Sequence, residues 1–192
     1  MRAGFTLVEL LVVVAIVGLL SSYTVIYSNT TRRNTELYVE KARVGQFILK
    51  AKSFTLSTKN RTSLGRPCGY GVEMQDAVAP DRPALAMFSY SVHDPSSYEC
   101  KQDAITLLPL SRFDRQEVER FELTKGVRFL ANSSQRGELT RVFFLAPDPQ
   151  VFLWIDGAAP LPGVYAGNIY LETEDGRANT SIRVASGGEV SF

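Results

Sequence analysis

The sequence predicts an α+β protein in which a long amino-terminal helix, transmembrane in its first part, precedes a β-rich, sandwich-like globular head. Three observations lead to this class. Residues 5–20 form an apolar run with one charged side chain, helical periodicity continues to residue 56 without a proline, and short β-prone segments separated by turn residues follow residue 67. The chain has 192 residues, 45% of them apolar and 21% charged, which suits one head domain after the helix.

Residues 5–27 are predicted to span a membrane once. The side chains from Leu7 to Tyr27 are mostly apolar, and about 20 helical residues at ~1.5 Å each cross a hydrocarbon core of ~30 Å. A secretory signal peptide would have a longer charged region before the run and a small-residue cleavage site after it. Only residues 1–4, with Arg2, precede this run, and leucines occupy the positions that such a site needs. We therefore expect the segment to be retained.

A specific motif opens the apolar run. It reads Gly4-Phe5-Thr6-Leu7-Val8-Glu9 and is followed by uncharged apolar residues. A short leader, glycine, phenylalanine, a hydroxyl residue and glutamate at this spacing resemble the amino terminus of type IV prepilins and type II secretion pseudopilins. The resemblance implies that residues 1–4 are a leader peptide, that prepilin peptidase cuts between Gly4 and Phe5, and that the new amino terminus of Phe5 is methylated.

The same resemblance implies partners and a location. The subunit would sit in the inner (cytoplasmic) membrane as a single-pass protein, in contact with lipid, with its head outside the cytoplasm. It would then assemble with other pilin or pseudopilin subunits, through an inner-membrane assembly platform, into a pilus or a secretion pseudopilus. Arg2 before the span and Arg32 and Arg33 after it leave the orientation open by the positive-inside rule, so the orientation follows from the resemblance alone.

Glu9 is the carboxylate within the apolar run, and two interpretations of it are open. A charge at the bilayer centre costs ~2.5–3.5 kcal/mol on insertion scales and less near the interface, so it needs a partner or a function. Thr6 and Glu9 fit a capping box, which satisfies free amides in the first turn of a helix. Alternatively, Glu9 compensates the positive amine of Phe5, its own or a neighbour's, during assembly. The two interpretations are compatible.

The remainder of the predicted helix, up to residue 56, is amphipathic and is expected to lie against the head. Apolar residues recur there at steps of three or four, among them Leu37, Val44, Ile48 and Ala51, with Phe47 and Phe54 widening the apolar side. Residues 57–67 are polar and end in a glycine and a proline, so they are predicted to form a linker.

Residues 68–192 are predicted to form the β-rich head. The expected strands are residues 70–74, 84–92, 104–108, 118–123, 127–130, 139–145, 151–155, 168–174, 180–185 and 189–192. Asp175-Gly176 and Gly187-Gly188 suit tight turns, which would join the last three strands into a meander. Residues 114–117 have an alternative as a short capped helix. The order of these segments loosely resembles the heads of H-type minor pseudopilins and FimT-like minor pilins.

Cys68 and Cys100 are the two cysteines of the chain. In an exported head they could form one disulfide, which would stabilise the fold by ~3–4 kcal/mol through loop closure. The alternative is that both are buried free thiols. With the single histidine, His93, they are too few for a zinc site. Since no catalytic or phosphate-binding motif is recognisable, we expect a protein that is not an enzyme and uses no metal or cofactor.

Two surfaces are candidate contacts in the head. Arg177 and Arg183 could touch DNA phosphates, as the resemblance to DNA-uptake minor pilins allows. The formal net charge is only +1, so nucleic acid is not the expected partner. Residues 156–167 form a Pro/Gly-rich segment that could meet a neighbouring subunit.

The predicted function is therefore a minor pilin or pseudopilin subunit. One alternative is a DNA-binding or adhesive tip minor pilin used in DNA uptake. The other is a simple bitopic membrane protein that carries a β-domain and in which Glu9 is only a helix cap.

Overall fold

The α+β class predicted from the sequence is confirmed by a computed structural model, which describes residues 6–57, 67–75, 83–92, 113–130, 138–146, 150–155 and 166–192. In order along the chain, the described elements are α1 (Leu7–Ser57), β1 (Pro67–Gln75), β2 (Ala84–Val92), β3 (Phe113–Glu122), β4 (Val127–Phe129), β5 (Leu139–Leu145), β6 (Gln150–Ile155), β7 (Ala166–Thr173), β8 (Asn179–Ala185) and β9 (Val190–Ser191).

Helix α1 is continuous and changes character along its length. Every described side chain from Thr6 to Thr35 is exposed. Beyond that point one face of the helix is buried against the head. Its buried residues recur at helical spacing and are Leu37, Glu40, Val44, Phe47, Ile48, Ala51 and Thr55. The segment Leu7–Thr24 is apolar on nearly all sides, whereas the helix beyond Thr35 is amphipathic, so only the later part has a face that matches the head.

The strands form two antiparallel sheets. Their orders are β3-β2-β1-β5-β6 and β4-β7-β8-β9. A parallel bridge between Glu138 and Asn168 joins them. The predicted terminal meander is present, since β8 pairs with both β7 and β9. The turns that precede and follow β8 contain Gly176 and Gly188 at φ of 67° and 72°, values that side-chain-bearing residues rarely adopt.

One core unites the helix with both sheets. Val44 and Ile48 of α1 belong to the same buried cluster as Val72 and Phe144 of the five-stranded sheet and Ile182 of the four-stranded sheet. The second half of α1 is therefore part of the head and not merely attached to it. The opposite face of the five-stranded sheet carries a second cluster, made of Cys68, Ala86, Phe88, Tyr90, Phe143, Leu145, Phe152 and Trp154.

Within the described residues, the predicted strand positions agree with the structure except at β3. This strand begins at Phe113 and not at residue 118, so the short helix considered for residues 114–117 is wrong. Arg115 and Gln116 pair instead with Tyr90 and Ser89 of β2. The strand expected at residues 104–108 and most of the expected linker, residues 58–66, lie outside the described residues.

Candidate functional site

The first turn of α1 contains the capping box that the sequence predicts. The backbone N–H of Thr6 donates to Glu9 Oε2 at 3.2 Å, and the Thr6 hydroxyl donates to the same oxygen at 3.2 Å. In return, the backbone N–H of Glu9 donates to Thr6 Oγ1 at 3.3 Å. These reciprocal bonds satisfy amides that the first turn would otherwise leave free. Glu9 therefore has a structural role in the single subunit.

The cap leaves room for a second role of Glu9. Among the described residues, its hydrogen bonds use Oε2, so Oε1 is available to another donor. The Thr6 amide lies beyond the predicted cleavage position and survives processing. Gly4 and Phe5 lie outside the described residues, so cleavage after Gly4 and the pairing of Glu9 with the Phe5 amine stay predictions.

The apolar part of α1 is long enough to cross a membrane. The segment Leu7–Thr24 meets the length and composition of a span, and none of it is buried within the chain. Two of its hydroxyl groups bond within the helix, since Ser22 donates to the Gly18 carbonyl and Thr24 to the Leu20 carbonyl, each at 2.9 Å. Such bonds lower the cost of carrying a hydroxyl into lipid.

Glu40 fixes the head on the second part of α1. The residue is 1% exposed, and Oε1 accepts bonds from Arg43 Nη1 at 2.7 Å and from the Thr124 hydroxyl. Among the described residues Oε2 has no partner. Sequence reasoning missed Glu40, although its place between Leu37 and Val44 on the buried stripe was a readable signal.

Further polar contacts flank this junction on both sides. Lys50 Nζ pairs with Glu119 of β3 at 2.7 Å. Lys52 Nζ donates to the Gly188 carbonyl at 3.1 Å. Together with the buried stripe, they hold the second half of α1 in one position on the head.

The turn between β7 and β8 contacts α1 where burial begins. Asp175 Oδ1 accepts bonds from the Thr173 hydroxyl at 2.7 Å and from the Arg177 amide at 3.2 Å, and Oδ2 pairs with Arg33 of the helix. The Thr173 hydroxyl foremost, then the Arg177 amide and the Arg33 guanidinium, hold the pKa of Asp175 below its usual range. An open groove of about 500 Å³ lies between the helix and this turn.

Acidic residues near this turn do not form a metal site in the described part of the chain. There, no group of three or more His, Cys, Asp or Glu side chains is placed to hold a metal. Glu172 instead pairs with Arg128 at 2.7 Å, and Asp175 pairs with Arg33.

The two arginines considered for DNA are not brought together. Arg177 lies in the turn before β8 and reaches Asp175 at 3.8 Å. Arg183 is exposed on β8. Arg183 lies four residues into β8, which begins at Asn179, and four extended residues cover ~13 Å, so the two arginines would touch different phosphates if they touched any. A nucleic-acid contact stays an unsupported prediction.

The other predicted positions fall partly outside the described residues. Cys68 is disulfide-bonded, but Cys100, its expected partner, is not described, so the pairing stays a prediction. His93 and residues 156–165 of the Pro/Gly-rich segment are not described either.

The outer face of the five-stranded sheet carries a network of charged side chains. Glu73 pairs with both Arg115 and Arg141, and the Arg115 guanidinium lies 3.4 Å from the centre of the Phe88 ring. Burial raises the pKa of Tyr90 on this face. A tyrosine with a raised pKa stays protonated at neutral pH, so it cannot act as a base there.

Comparison with known proteins identifies the amino terminus. Residues 1–24 match the family model of the prokaryotic N-terminal methylation motif, a type IV pilin-like prepilin signal. No curated protein and no solved structure matches the chain. The motif supports a type IV pilin- or pseudopilin-like precursor that is processed by prepilin peptidase, and it suggests assembly with other pilin subunits. It suggests a structural subunit more than an enzyme, and with the apolar helix it fits a membrane-anchored pilin.

Proposed function

We propose that this chain is a minor pilin or pseudopilin subunit, cut after Gly4, methylated at Phe5 and assembled into a type IV pilus or a type II secretion pseudopilus. One observation carries the proposal. The methylation motif at residues 1–24 opens a helix whose first half has no packing partner within the described chain.

The energetics of that half-helix support assembly. Burying one valine or leucine side chain is worth ~1.5–3 kcal/mol, and Leu7–Thr24 leaves all its apolar side chains exposed. Lipid can cover them before assembly, and the helices of neighbouring subunits can cover them afterwards. The head does not compete for this surface, because its core is completed by the second half of α1.

Glu9 contributes to assembly through its charge. Before assembly it caps the helix through Oε2. In a filament core the carboxylate compensates the Phe5 amine, because a buried charge left unpaired costs ~3–5 kcal/mol. The pair thereby penalises subunits that dock out of register.

The location and the finer family follow from the same proposal. The precursor sits in the inner membrane with its head outside the cytoplasm, where the assembly platform collects it. The finer assignment to an H-type, FimT-like minor subunit rests only on the loose sequence resemblance of the head segments. A disulfide at Cys68 suits an exported head.

Intact mass of the native protein tests the proposal. The expected mass begins at Phe5 with one added methyl group. A simple bitopic protein with a β-domain would instead keep residues 1–4, so a native chain that begins at unmodified Met1 would overturn the proposal.

A further inference from the structure

We propose that Tyr23 and Tyr27 mark where the precursor leaves the lipid, so that their rings lie among the headgroups on the side of the head. The inference rests on the proposed function, since it concerns the membrane-inserted state before assembly. It adds two quantities that the methylation motif does not specify. These are the depth of the tyrosine rings in the bilayer and the distance along α1 from the membrane surface to the head.

The two tyrosines form one exposed aromatic surface. They lie one helical turn apart with ring centroids 6.5 Å apart and ring planes 15° from parallel. Tyr23 is 70% exposed and Tyr27 is 65% exposed, so neither ring packs against the head. Tyrosine combines an apolar ring with a polar hydroxyl and is enriched at membrane–water interfaces for that reason.

The length of the helix agrees with this depth. From Leu7 to Tyr27 the axis covers ~30 Å at 1.5 Å per residue, which matches a hydrocarbon core of ~30 Å. With the tyrosines at one interface, the capping box of Thr6 and Glu9 lies at the other. There a carboxylate costs less than at the bilayer centre, which explains how Glu9 is tolerated before it has a partner.

Charged side chains are present on one side of the tyrosine pair and absent from the adjoining stretch on the other. From Leu10 to Thr24 the helix carries no charged side chain, and the hydroxyls of Ser22 and Thr24 donate back to carbonyls of their own helix, as those of Thr31 and Thr35 also do beyond the pair. On the other side, Arg32 forms an ion pair with Glu36 at 2.9 Å, an arrangement that belongs in water. The boundary between the two solvents therefore falls between Thr24 and Arg32.

This boundary sets the distance between the membrane surface and the head. Leu37 is the first residue of α1 to be buried in the head, and it lies ~15 Å along the helix from Tyr27. Tyr38 is 63% exposed, close to the exposure of Tyr27, but should lie in water. It is therefore a matched control on the same helix.

Depth-dependent fluorescence quenching tests the proposal. The uncut full chain is reconstituted in phosphatidylcholine vesicles at low protein density, with nitroxide-labelled lipids that quench either near the headgroup or in the middle of the acyl chain. The variants are Tyr27→Trp, Tyr38→Trp and Val14→Trp. The wild-type chain supplies the blank, because its single tryptophan, Trp154, is buried in the head.

Three quenching patterns are expected. The Tyr27→Trp variant is quenched several-fold more by the headgroup label than by the mid-chain label, the Val14→Trp variant shows the reverse, and the Tyr38→Trp variant resembles the blank. Two results would refute the proposed position of Tyr27 among the headgroups. One is equal quenching of the Tyr27→Trp and Tyr38→Trp variants, and the other is stronger quenching of the Tyr27→Trp variant by the mid-chain label than by the headgroup label. Release of the protein from vesicles by alkaline carbonate would count against membrane insertion and the proposed function instead.

Discussion

The two halves of helix α1 differ in what covers them. Leu7–Thr24 has no buried residue, whereas the stripe from Leu37 to Thr55 is part of the core of the head. Both halves are continuous helix, so local helix formation does not account for the difference. The difference lies in the distribution of apolar residues, which surround the helix in the first half and lie on one face in the second. The first half is therefore built for a partner outside the chain.

Two glutamates show the same contrast. Glu40 is buried and its Oε1 is already bonded to Arg43 and Thr124. Glu9 is exposed and bonded only within its own helical turn among the described residues. One carboxylate serves the fold, and the other stays available for a later charge partner.

Gly4→Ala should abolish maturation, the largest effect expected, while leaving the second half of α1 untouched. The reason is that, under the proposed function, prepilin peptidase is expected to accept little bulk at the residue before the cut. Electrophoretic mobility and intact mass would show an uncut precursor. Gly18→Ala is the control, because an added Cβ there meets no atom within 4 Å. Normal processing of the Gly4→Ala variant would refute the prediction.

Glu9→Gln should leave the precursor capped and in the membrane but strongly impair its incorporation into filaments. Glutamine can replace glutamate in a capping box, so this change removes the charge and keeps the cap, whereas Glu9→Ala removes both. Recovery of the subunit in a filament pull-down is the measurement. If only the cap matters, the Gln variant assembles like wild type and the Ala variant does not, which would contradict pairing with the Phe5 amine.

Ile48→Ala should destabilise the head by about 2–5 kcal/mol, since Ile48 is fully buried in the shared core. Leu49→Ala, one residue further and 42% exposed, should change stability by only about 0.5 kcal/mol. Urea unfolding of the full chain in detergent, followed by the fluorescence of Trp154, measures both. Equal losses would show that the second half of α1 does not complete the core.

Much of this architecture was predictable because it depends on local patterns. The capping box needs only Thr6 and Glu9 at the right spacing, and α1 ends at Ser57, one residue beyond the prediction. The strand β5 has the predicted bounds, Leu139–Leu145. Each of these features is fixed by neighbours along the chain.

Features that depend on distant partners were harder to predict. Residues 113–122 read Phe-Asp-Arg-Gln-Glu-Val-Glu-Arg-Phe-Glu and lack a clear alternation, because β3 is the edge of its sheet and carries many charges. Pairing with β2 overrides their helical signal. Two other features likewise depend on contacts that no local pattern contains. They are the pairing of β4 within the second sheet and the burial of Glu40 against Thr124.

Asp175→Asn should have the smallest effect, at the boundary between the two halves of α1. The pKa of Asp175 is lowered from 3.8 in the folded chain. Its ionisation therefore stabilises the fold above the unfolded pKa, and this contribution is lost as the pH falls through the lower folded pKa. Asparagine keeps the oxygen that accepts from Thr173 and Arg177, so the change removes the charge that Arg33 faces.

The urea midpoint of the full chain in detergent, measured between neutral pH and pH ~3, checks this prediction. The Asp175→Asn variant should be slightly less stable than wild type at neutral pH, by less than the Ile48→Ala variant, and the difference should shrink as the pH falls below the unfolded pKa toward the folded one. Glu174→Gln removes an exposed neighbouring carboxylate and is the control for net charge. A difference that persists unchanged at low pH would mean that Asp175 acts through the shape of the turn, and that Arg33 does not tie the exposed half of α1 to the head through charge.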